Sequence, residues 1–178
     1  PDGNVTGWSD TRVLAGIAEN TILDVDVTLH LTGGWNGDLY GYLTHASGFS
    51  VLLNRAGRTS GAPFGYADAG LNVRFDDAAA NDIHLYQLVP GYATTIADGS
   101  AWLPDGRNVN PLTALDTDAR TALLSSFNSL DPNGSWTLFL ADVSGGEIST
   151  VVDWGLKIEA ETQGTGGGGS GVPDAGST

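Results

Sequence analysis

Between Leu23 and Asn54 the apolar and polar positions alternate. Leu23, Val25, Val27, Leu29 and Leu31 share one side of a period-two ribbon, and Asp24, Asp26, Thr28 and His30 share the other. A helical winding would spread those polar groups around its whole circumference, so the pattern predicts a strand with one wet face. Gly33, Gly34 and the Asn36-Gly37-Asp38 turn interrupt it, and Leu39, Gly41 and Leu43 then alternate with Tyr40 and Tyr42. After Ser47-Gly48 a third run places Phe49, Val51 and Leu53 on one side.

The same pattern recurs further on. Leu71, Val73 and Phe75 alternate with Asn72 and Arg74; Trp136, Leu138 and Leu140 alternate with Thr137 and Phe139. A last run sets Val152, Trp154, Leu156 and Ile158 against Asp153, Gly155, Lys157 and Glu159. Thr11 to Ile17 is expected as an edge strand, after a turn-rich lead-in in which Trp8 is the one large apolar group able to pin it down. Asp116 to Phe127 predicts a helix, with Asp116 or Thr117 as cap and Ala119, Leu123 and Phe127 at i, i+4 and i+8. Residues 78–110 carry only a short apolar run, Ile83 to Val89, among turns such as Pro104-Asp105-Gly106. Short strands separated by Gly, Pro, Asn and Asp predict an all-β fold over residues 1–160: a jelly-roll-like antiparallel β-sandwich with one short helix. Residues 161–178 form a Gly-rich tail with the composition of a linker.

Composition then limits the partners. The chain has 21 acidic residues, 17 of them aspartate, against 7 basic ones, a net charge of −14 that repels nucleic acid and anionic membranes and favours cations. Its 178 residues suffice for one domain with a substantial core. Cysteine is absent, which rules out disulfides and thiolate metal sites. No run approaches the ~18 apolar residues of a membrane span, and no leader pattern is present. The lack of methionine, position 1 included, is expected of a processed or excised chain.

Catalytic signatures are missing from the sequence. No Gly-x-Ser-x-Gly motif surrounds a serine, and His30, His45 and His84 lack metal-ligand spacing. His30 is expected at the surface. Asp76 and Asp77, adjacent on one strand, would point to opposite faces and make no acid-base pair. The chain is therefore expected not to be an enzyme. Calcium is the chemistry the acids suit best, since hard cations take six to eight oxygens from Asp-rich loops; the candidate ligands are Asp38, Asp76, Asp77, Asp82 and Asp142. Trp35, Tyr40, Tyr42, Tyr66, Tyr92 and Trp102 are either a platform for extracellular glycan or satellite core. Asn4-Val5-Thr6 and Asn133-Gly134-Ser135 are glycosylation sequons, Asn4 the freer of the two.

The ordered set of pieces resembles the P domain, the β-sandwich module of subtilisin-like proprotein convertases that also occurs without a protease in bacterial surface proteins. The likeness rests on the strand ending at His30, Gly37-Asp38-Leu39, Val51-Leu52-Leu53-Asn54-Arg55 with Gly57, and Phe75-Asp76-Asp77. Gly134-Ser135-Trp136-Thr137-Leu138 with Asp142, and Trp154-Gly155-Leu156-Lys157-Ile158, complete it. Thr44-His45-Ala46-Ser47-Gly48 departs from the family's usual Ser-Pro-x-Gly-Thr turn, and Asn81 to Pro111 is longer than usual. Some bacterial P domains bind calcium. Val172-Pro173-Asp174-Ala175-Gly176-Ser177-Thr178 resembles the motif that opens C-terminal sorting signals of the PEP-CTERM type, without the hydrophobic helix and basic cluster that come after it there. Together these resemblances imply a non-catalytic extracellular module at a bacterial cell surface. It would be a structural or adhesive homo-oligomer or filament subunit, assembled through its tail or sheet edges. A carbohydrate-binding module and an accessory domain of a secreted subtilisin-like protease are the alternatives.

Overall fold

A strand with one wet face needs a second layer to bury the other. A computed structural model, describing residues 2–163, supplies that layer as two stacked four-stranded sheets. In chain order the strands are β1 (Trp8–Leu14), β2 (Thr21–Gly33), β3 (Leu39–His45), β4 (Gly48–Asn54), β5 (Leu71–Phe75), β6 (Ala101–Trp102), β7 (Gly134–Asp142) and β8 (Ser149–Glu161). One sheet has the order β1-β7-β3-β4 and the other β6-β5-β2-β8. All pairings are antiparallel except the two-residue contact of β6 with β5. The all-β sandwich expected from the alternation is thus what forms. The sorting-signal-like motif at 172–178 and most of the Gly-rich tail lie outside the described residues.

The core fills the space between the sheets. Val27, Leu29 and Leu31 of β2 meet Leu43, Trp136 and Leu138 in one buried cluster with Phe75, Phe127 and Trp102. Each such side chain contributes about 1.5–3 kcal/mol when removed from water. Trp136 is fixed on three sides. His45 stacks on it at 4.0 Å, Phe127 lies 5.1 Å away, and its indole N–H donates to the Pro132 carbonyl at 3.0 Å. Gly48 is required beneath this cluster, because a Cβ there would fall 2.2 Å from the Phe127 ring.

Bulges shift the alternation at three places. β2 and β8 lose register between Ile22 and Asp24, so Ile22 enters the core and Leu23 is 48% exposed. A second shift, between His30 and Leu31, leaves Val152 of β8 without an opposite residue and 51% exposed. In β4 the shift opposite Gly41 and Tyr42 sends both Leu52 and Leu53 into the core and leaves Phe49 half-buried on the outer face. An extra residue in a period-two element reverses the facing of every later residue in that strand, so each expected inward set changes at its bulge. Asp26 also departs from expectation: it faces outward yet is buried, covered by Arg74 at 2.8 Å and Lys157 at 3.5 Å from the flanking strands.

The helix expected over 116–127 shortens to one 3-10 turn, Leu124–Phe127, whose first two amide groups donate to the Asp77 carboxylate. Trp8, expected to pin the lead-in, opens β1 and is 41% exposed. Tyr92 and Trp102 pack edge to face at 5.0 Å, and the buried Trp102 is core rather than platform.

The long segment between β5 and β7 covers the outer edge of β4. Val51 donates to Ala122, Gly106 donates to Val51, and Asp105 donates to Leu52, all backbone to backbone. One buried carboxylate holds this cover in place. Asp105 accepts from the His84 ring at 2.7 Å, from the Asn54 amide at 3.2 Å and from the Arg107 guanidinium at 3.3 Å. Arg107 continues to Asp82 at 2.9 Å. Asp105 and His84 are wholly inaccessible to water. Removing one member of such a cluster leaves buried cations uncompensated. Asp105→Ala is therefore expected to destabilise the domain by about 3–5 kcal/mol, measured by urea denaturation.

Candidate functional site

The pairing of β3 with β7 sets Leu39 opposite Asp142, which brings Asp38 and Asp142 to the same end of the sandwich. The Val143 amide donates to the Asp38 carbonyl at 2.9 Å and closes the corner. Arg55, just past β4 with φ of 59°, turns its guanidinium inward to the Gly37 carbonyl and to Asp38 Oδ1 at 3.4 Å. Asp38 thus has a buried cation beside it. Asp142 has none so close. It is 6% exposed, its Oδ1 accepts weakly from the Ser144 amide at 3.4 Å, and its Oδ2 has no hydrogen-bond partner among the described residues.

Electrostatics reflect that arrangement. Burial pushes the Asp142 carboxyl above the usual carboxylate range; the Ser144 amide pulls it back, while the charges of Asp38 and Asp2 raise it further. Burial also raises Asp38, against the pull of Arg55. Beside Asp142 the two sheets leave a cleft of about 300 Å³. Its apolar walls come from Trp8, Leu31, Leu39, Leu140, Ala141 and Val151. Asp142, Ser149 and the exposed Thr150 are its polar lining, and the buried Ser149 hydroxyl is likewise unpartnered among the described residues.

The other candidate ligands do not join this corner. Asp76 accepts from Arg74 and from the Ala78 amide, both within 2.8 Å. Asp77 holds the start of the Leu124–Phe127 turn, and Asp82 is shared between the His84 amide and Arg107. Among the described residues no three acidic, histidine or cysteine side chains converge so as to hold a metal ion. The Asp38–Asp142 corner holds two carboxylates, one of them already paired with Arg55.

The histidines have different surroundings. His30 lies at the surface, 3.5 Å from Asp153. His45 is buried, with a carbonyl at each ring nitrogen: Ser135 at 3.1 Å and Asp131 at 2.7 Å. His84 places Nδ1 on Asp105 and Nε2 on the Arg58 carbonyl at 2.9 Å, and a ring donates from both nitrogens only as imidazolium. Burial by itself would lower its pKa; Asp105 and the Arg58 carbonyl outweigh that and raise it. The cluster of Asp105, His84 and Arg107 is not legible in the sequence, because a turn motif hides a buried acid. The one available signal is an arginine and a histidine within reach of an otherwise ordinary turn.

On the outer face of the first sheet, Tyr42 stacks on Phe139 at 4.7 Å and leans on Phe49 at 5.2 Å, with Tyr40 at 5.8 Å. These cross-strand contacts use ring faces that a sugar would need. Asn4 is exposed, whereas the Asn133 amide donates to the Ile17 carbonyl and to Asp131.

Two titrating groups make stability fall as pH rises, each in its own window. The folded-state pKa of His84 is raised, so its contribution to stability is complete below the ordinary value of 6.5 and is lost as pH rises through the folded value. Urea midpoints should fall over that window in the native protein, and this component should vanish in His84→Gln. Asp142 is also raised, so its ionised form costs stability above the ordinary value of 3.8. Asp142→Asn should therefore raise the urea midpoint at neutral pH and lose that advantage in acid.

No family model matches this sequence, and no curated protein matches it. A chain from the crystal structure of the Aeromonas sobria serine protease and chaperone (ORF2) complex is similar over 92% of this chain and 22% of its own length, at 17% identity and a TM-score of 0.40.

Proposed function

We propose that this domain is a non-catalytic, secreted, P-domain-like structural module of a cell surface that associates with further copies of itself through its open strand edges. The distribution of edges is the observation that carries the reading. An unpaired strand edge is a template for another strand. The edge of β4 is closed by the 105–126 segment, and β6 is only two residues long. Among the described residues no strand pairs with the outer edges of β1 or β8, and β8 is 13 residues long. The two open edges lie on the same flank, where Arg12 of β1 sits 4.2 Å over the Trp154 ring of β8 and Asp10 accepts from its indole at 2.7 Å.

Charge favours a second copy there. In two-fold antiparallel addition of β8 to β8, centring on Gly155 puts Lys157 opposite the Asp153 of the second copy. Centring on Ile158 puts it opposite Glu159. Either register pairs the only lysine of the strand with an acid, twice per interface. The edge of β8 suffices for this contact, without any contribution from the tail at 164–178.

Sedimentation velocity over a wide concentration range is expected to show reversible self-association. Asp153→Lys should weaken it roughly 3- to 10-fold if Gly155 is the centre, since two like-charge contacts then replace two opposite ones. A protein that stays monomeric at every concentration, with negative-stain images of single particles only, would sink the proposal.

A further inference from the structure

We propose that the cleft beside Asp142 binds an organic ammonium ion, a protonated amine carried on a short apolar stem. Three features select that chemistry. The cleft of about 300 Å³ lies at the small end of the range for ligand sites, and most of its wall is apolar. Its one charged side chain, Asp142, is buried with Oδ2 unpartnered, and the buried Ser149 hydroxyl in the same lining is unpartnered too, both among the described residues. A buried acceptor without a donor costs roughly 1–3 kcal/mol, and more when it is charged. An ammonium group has three N–H donors and one positive charge, so it satisfies Asp142 Oδ2 and can donate to Ser149 as well.

Competing ligands fit less well. An anion meets Asp142, Asp38 and the net charge of −14. Calcium finds one unpartnered carboxylate oxygen and six apolar lining residues where it wants an oxygen shell. A neutral alcohol supplies a hydrogen bond and leaves the charge uncompensated. Trp8 at the rim adds an aromatic face for the stem or the cation. The cleft takes Trp8 from β1 and residues 149–151 from β8, the strands whose edges are proposed to associate, so binding is measured at protein concentrations where sedimentation shows a monomer.

The test is a titration of isotope-labelled protein with n-pentylammonium, monitored through the amide shifts of residues 140–142 and 149–151. N-acetyl-lysine methylamide, n-pentanol and calcium chloride are run in parallel. Pentylammonium should bind and shift those amides, pentanol should bind at least about tenfold more weakly, and Asp142→Asn should lose about tenfold or more in affinity. Trp8→Ala, an exposed position whose loss spares the core, should weaken binding several-fold through the lost rim contact. Acetyl-lysine methylamide binding beside pentylammonium would assign the natural source to a protein side chain, and its failure to bind would assign it to free amines; both support the site. Equal binding of pentanol, undiminished binding to Asp142→Asn, shifts produced by calcium alone, or no shift with any ligand would each overturn it.

Discussion

The contact on which most of the molecule depends is a carboxylate with no access to water. Asp105 gathers a histidine ring, an arginine and the backbone of β4, and through them ties together stretches of chain that contain almost no regular structure. Charged groups are expensive to bury, so such a cluster persists only when every member has partners. Here Arg107 reaches both Asp105 and Asp82, and His84 is held between Asp105 and the Arg58 carbonyl. What the cluster secures is position. It lays the 105–126 segment along β4, where main-chain bonds form.

That position decides which surfaces remain available. A sandwich of two sheets has two edges per sheet, and each must be paired, covered, shortened or left as an interface. With β4 covered and β6 reduced to two residues, the β1 and β8 flank is the one that stays open among the described residues. Arg12, Trp154 and Asp10 join the two sheets across that flank, so a strand added there would meet a pre-ordered surface. Order before contact lowers the entropic cost of association.

The opposite situation holds at Asp142. Burial raises the pKa of its carboxyl and works against stability at neutral pH, whereas Asp38, at the same corner, has Arg55 alongside. Asp142 Oδ2 shares the lack of a partner among the described residues with Asp26 Oδ1, Asn36 Oδ1, Asn54 Oδ1, Arg107 Nε and Ser149 Oγ, and with Ser149 it lines a cleft. An apolar cleft opens beside it.

The alternation of side chains was enough to determine the class of fold, the positions of β2, β3, β4, β5, β7 and β8, and the inward set around Trp136, because burial on one face of a strand imposes a period of two. His30 at the surface and the spatial separation of Asp76, Asp77 and Asp82 from Asp142 show the boundary of that inference: facing can be read along one strand, convergence between strands cannot. Leu23, Val152 and Phe49 escape the pattern through single-residue bulges, which reverse the phase without altering composition. The helical spacing at 116–127 gave way to one turn because that segment is used to pair with β4 and to cover it. Only the tertiary structure made Asp105 a buried centre and left Asp142 without a partner, because a carboxylate's role depends on which distant donors the fold brings within about 3 Å, and that depends on chain topology rather than on the residues beside it.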